Sequence, residues 1–184
     1  MTRQCVPNEL YGQLHRKFRE LERRIDQGTI PFQRAINDLQ ALIEGRTFDS
    51  RIIDCDADPF VPEGWTVAEH RERGQLKWNP DMVSLYLSDS QKDNKTIRGH
   101  ELRKELENQL VLNANVLDYL LNHQGLIPET WKGKQIFFWG TIYHDQDGSL
   151  CVRCLYWVGG RWDGDYRWLD NDLGVRSFAA FACK

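Results

Sequence analysis

No stretch of this 184-residue chain approaches the roughly 20 consecutive apolar residues that cross a bilayer. The first 24 residues carry charges throughout, so neither a signal segment nor a membrane contact is expected. Charge of one sign is lacking as well. With 24 basic and 27 acidic residues the net charge is −3, which removes the overall electrostatic footprint of a nucleic-acid or anionic-membrane binder. Cysteines are few and odd in number (Cys5, Cys55, Cys151, Cys154, Cys183), and their irregular spacing excludes a disulfide framework. A glycine-rich phosphate loop, a nucleophile elbow and a histidine pair at metal-binding spacing are all missing. These absences predict a cytoplasmic α+β protein without a secure catalytic motif.

What the chain does contain changes along its length. Leu10, Leu14, Phe18, Leu21 and Ile25 step by three or four residues, and Phe32, Ile36, Leu39, Leu42 and Ile43 repeat the pattern after Gly28 and Pro31. Residues 1–46 therefore read as a helical hairpin, and 47–184 as an α+β domain. In the second region Ile52-Ile53 suggests a brief strand. Thr66 and Glu69 have capping-box spacing before Gly74, predicting a short helix there. A strand is expected over 82–87, and helices around Leu102–Leu106 and Val116–Leu121.

From Trp131 to Trp168 ten of 38 residues are Trp, Tyr or Phe, which marks the sheet of the fold. Asp147-Gly148 and Gly159-Gly160 are hairpin turns, giving three antiparallel strands near 135–145, 149–158 and 161–169. If both loops have two residues, Ile136, Phe138, Ile142, Leu155 and Trp162 share one face with Arg153 as its only charge. That face is the expected core, under the helices near 99–108 and 114–123. Trp139, Tyr143, Tyr156, Asp163 and Arg167 then share the other, which the mixture of aromatics and charge predicts to be partly exposed. A slip of one residue would exchange the faces.

Three constellations compete. The leading expectation is a non-catalytic binding protein that recognises a protein partner through Trp139, Tyr143, Tyr156 and Arg167. The alternative is a metal-dependent hydrolase or phosphotransferase. Asp54, Asp56 and Asp58 alternate along an extended segment and could hold Mg²⁺ or Ca²⁺, though a solvated strand end needs no cofactor at all. The third is a nucleic-acid-binding regulator, with aromatic residues stacking bases and the basic residues of Arg16–Arg24 on phosphates. Cys151-Val-Arg-Cys154 has redox and zinc spacing but lies within a strand, where residues three apart point to opposite faces.

The segments ALIEG, DCDADPFVPEGWTVAEH, GQLKWNPDMVSLYLS and VLNANVLDYLLNHQGLIPETWKGKQIFFWGTIYHDQDGSLCVRCLYWVGGRW resemble small hypothetical proteins from uncultivated, small-genome bacteria. The resemblance covers about three quarters of the chain. It implies that the aromatic sheet segment is a unit, and it brings no catalytic residues, because that group has no assigned activity.

Overall fold

A computed structural model describes residues 8–28, 32–43 and 52–183. The chain divides into two compact units, 1–50 and 51–184, and the fold is α+β.

The first unit holds helices α1 (Asn8–Asp26) and α2 (Phe32–Ile43). Gly28, at φ +69°, adopts the left-handed conformation that ends α1 without a Cβ penalty. Glu20 accepts from both Arg23 and Arg24 at 2.6 and 3.0 Å, ordinary surface pairs one turn apart.

In the second unit, β1 (Ile52–Asp54) pairs with β3 (Gln75–Lys77), and β5 (Ile97–Arg98) with β9 (Asp172–Leu173). The main sheet contains β2 (Thr66–His70), β4 (Val83–Tyr86), β6 (Gln135–His144), β7 (Leu150–Val158), β8 (Arg161–Trp168) and β10 (Ser177–Ala182). Its order is β4-β10-β6-β7-β8, with β2 joining β6 beyond the end of β10. Strand β10 runs parallel to β6 and antiparallel to β4. Helices α3 (Gly99–Glu105) and α4 (Ala114–Asn122) complete the unit.

Two expectations change. The segment from Thr66 to His70 is a strand, not a capped helix. Thr66 pairs with His144 and Val67 with Tyr143, so an open sheet edge outweighs a local capping pattern of about 1 kcal/mol. Both faces of the sheet are core, not one. Ile136, Phe138, Leu155 and Trp162 pack under Val116, Leu117 and Leu120 of α4. Phe137, Trp139, Ile142, Val152 and Cys154 pack under Leu102 and Leu106 on the other side.

The reason lies partly in β6. Ile136 faces Leu155, but six residues later Ile142 faces Val152, only three residues back along β7. This odd-numbered irregularity reverses the alternation of β6, the one-residue exchange that period-two geometry imposes. Ile142 therefore joins the α3 side. Tyr143 turns to the α4 side, where its ring meets Tyr166 edge-on at 5.5 Å.

Small residues decide where α4 crosses. A Cβ on Gly164 would lie 2.9 Å from Leu121 Cδ1, and one on Gly140 would lie 2.9 Å from the Cα of Asn113. Among the described residues no helix is long and apolar enough to cross a membrane.

Candidate functional site

The four residues expected to form a binding face are not brought together on one exposed surface. Trp139 is buried under α3, and Tyr143 is buried on the opposite face of the sheet. Tyr156 and Arg167 stay partly exposed, with Arg167 donating to Asp165 at 2.5 Å. The physical cause is the β6 irregularity together with a helix on each side, which puts the large rings into core.

The acidic segment is used for folding. Asp54 Oδ1 accepts the Asp56 N–H at 3.1 Å, and Asp56 Oδ1 accepts the N–H groups of Arg73 and Gly74, both at 2.6 Å. Asn115 Nδ2 donates to the carbonyls of Asp54 and Ala57, and Asn113 Nδ2 to that of Cys55. These bonds tie the segment to the N-terminus of α4. Among the described residues no three His, Cys, Asp or Glu side chains converge as metal ligands, so Asp54, Asp56 and Asp58 do not form the expected metal cluster.

A second polar network lies beside it. His70 Nε2 is 3.0 Å from the Cys55 carbonyl, which can only accept, so Nε2 carries the proton. Nδ1 then accepts from the Thr141 hydroxyl at 2.9 Å, whose oxygen accepts the Ala114 N–H at 3.0 Å. Hydroxyl, imidazole and carbonyl are arranged as in a nucleophile–base–orienter relay. Thr141 is fully buried, however, so no substrate reaches it, and the relay instead staples α4 to β2 and β6.

The third network is charged. Arg153 is the charge that the sequence placed on the α4 face, and it donates to Asp118 of α4 at 2.5 Å while only 7% exposed. Burial opposes its charge, but the Asp118 carboxylate wins and holds the guanidinium above its ordinary value. Tyr143 and Tyr166 lie against it, and burial pushes both phenols up.

Cys55, Cys151 and Cys154 are buried. Burial pushes the Cys55 thiol up to about 11 and those of Cys151 and Cys154 up to about 12, away from the reactive thiolate. The last two lie within β7, and among the described residues all four cysteines are free.

What remains open is the helical hairpin. Along α1, Tyr11, Leu14 and Phe18 are 52, 49 and 40% exposed. On α2, Phe32, Ile36 and Ile43 are 64, 45 and 78% exposed. Leu21, Ile25 and Leu39 are half-buried, and Ala35 is buried. Tyr11, Leu14, Phe18, Leu21 and Ile25 follow a three-four repeat along one face, and Phe32, Ile36, Leu39 and Ile43 follow a four-three-four repeat. Arg16, Lys17 and Arg19 are exposed on the other faces of α1. The sequence already showed these stripes. Their significance was hidden because periodicity tells which residues share a face, not whether anything covers it. Comparison with protein-family models, with curated proteins and with solved structures finds no match to this chain.

Proposed function

We propose that this chain is a non-catalytic interaction protein that docks a helical protein partner on the apolar stripes of α1 and α2. The observation that carries this reading is the exposure of Leu14, Phe18, Phe32 and Ile36 on helices whose repeat is that of a helix–helix seam. Two short amphipathic helices cannot satisfy both stripes against each other, and a third and fourth helix complete such a bundle. Exposed Arg16, Lys17 and Arg19 favour a partner helix with acidic flanks.

The test is a capture experiment with the full chain, comparing wild type with Phe18→Glu/Ile36→Glu. The substituted chain should lose the bound protein while keeping the same melting temperature. Retention of the same partner by the variant overturns the reading, as does wild type that binds nothing while a chain lacking 1–50 does.

A further inference from the structure

A cavity of about 280 Å³ lies between β2 and α3, lined by Glu69, Arg71, His100, Arg103, Lys104 and Glu107. Its lining is assembled from two segments some thirty residues apart.

The cations are held in place. Glu69 Oε1 accepts from Arg71 Nε at 2.7 Å, and its Oε2 accepts from Arg103 Nη2 at 2.7 Å, so one carboxylate sets two guanidiniums side by side. Burial raises the Glu69 carboxyl, but the bonds from Arg103 and Arg71 outweigh it and keep it below the usual range. Arg71 is fixed further, because its Nη1 donates to the carbonyls of Leu106, Glu107 and Gln109 where α3 ends. His100 leans on Asp170 at 3.4 Å.

After these bonds the cavity is rich in donors. Arg103 Nε and Nη1 and the Lys104 ammonium have no acceptor among the described residues. Glu69 is spent on two arginines, which leaves Glu107 as the one lining carboxylate without such a pair. Oriented guanidinium forks beside an ammonium match the geometry of a phosphate better than that of a cation or an apolar group.

We propose that this cavity binds the phosphate group of a small anionic ligand, with Arg103 and Lys104 donating to its oxygens and Glu69 acting as a positioning residue for the two arginines. The volume of about 280 Å³ has room for a phosphate group together with part of the small molecule that carries it. A single cluster on a chain of net charge −3 does not provide the extended basic track that a nucleic-acid backbone requires.

The experiment is calorimetric titration of the full chain with inorganic phosphate and pyrophosphate at low salt, with the His100 ring resonances followed in parallel. Wild type should bind pyrophosphate and shift His100. Lys104→Gln, which breaks no side-chain bond among the described residues, should weaken binding about tenfold, and Arg103→Gln should weaken it further. Absence of binding to either anion overturns the proposal, as does unchanged affinity in Lys104→Gln. Tighter binding of a short oligonucleotide, with a salt dependence of several phosphates, also overturns it by assigning the cavity to a nucleic-acid contact.

Discussion

Helices α1 and α4 carry the same kind of pattern, an apolar stripe stepping by three and four residues. On α4, Val116, Leu117 and Leu120 are completely buried under Phe138, Leu155 and Trp162. On α1, Leu14 and Phe18 stay open to solvent. Both helices are amphipathic, and the difference in burial follows what each helix meets. Helix α4 lies on a pleated sheet in which Gly164 leaves a hole for Leu117 and Leu121, while among the described residues of its unit α1 has the 12-residue α2 alone. A stripe selects a face; burial requires a surface of complementary shape and enough area.

The contrast can be broken most directly by truncation. Phe138→Ala should cost about 3–5 kcal/mol in denaturant unfolding, against less than about 0.5 kcal/mol for Phe18→Ala. Equal costs would show that the α1 stripe is covered after all. Next in size is Asp118→Ala, which leaves Arg153 buried without its counter-charge and should cost about 3 kcal/mol. Combining Asp118→Leu with Arg153→Met should recover most of that loss, and a double variant no better than the single would locate the cost in α4 packing. The hairpin pairs Glu20–Arg23 and Glu20–Arg24 are exposed, and Glu20→Gln should be nearly silent by the same measurement.

Thr141→Val should cost about 1–3 kcal/mol, because the Ala114 N–H and His70 Nδ1 lose their shared partner inside the fold. A value near zero in thermal melts would mean that α4 is held by its apolar face alone. The buried thiols make stability depend on pH. Burial raises Cys55 from 9.0 to about 11 and Cys154 from 9.0 to about 12, so the unfolded thiols ionise first. Their contribution is complete below the unfolded value of 9.0 and is lost as pH rises towards those folded values. Denaturant midpoints should fall between about pH 8 and about pH 10.5, and Cys154→Ala should flatten the decline. A Cys154→Ala profile as steep as wild type would assign the fall to other groups.

Much of the sheet was legible. Gly159 and Gly160 both take positive φ, and Trp157 pairs with Trp162 as the two-residue turn requires. Strand β10 was not, although it lies at the centre of the sheet between β4 and β6. Its Ser-Phe-Ala-Ala-Phe-Ala run has weak strand propensity, and its partners lie some forty and ninety residues earlier. The irregularity in β6 was only hinted at, by Gly140, because a strand glycine marks close approach of another backbone as readily as a bulge. It moved Tyr143 out of the predicted recognition face and into the core. The phosphate cavity was illegible for a related reason, since Glu69 and Arg71 stood in a segment read as helix and Arg103 in another.

By itself the sequence determined the local pieces: two amphipathic helices separated at Gly28, the two-residue turn at 159–160, the strand character of the aromatic segment, and the α+β class. Each follows from interactions within a few residues, through φ restrictions, periodicity and turn chemistry. The first hairpin differs from the expected two-residue loop at 147–148: the Asp145 N–H donates to the Ser149 carbonyl and His144 faces Leu150, a register one residue away. Only the tertiary structure decided that both faces of the sheet are core, that Asp56 organises a loop, that Arg153 is paired by Asp118, and that the hairpin stripes stay exposed. Those outcomes depend on which distant segments meet, and meeting is governed by register, shape and the competition among remote partners for the same sheet edge.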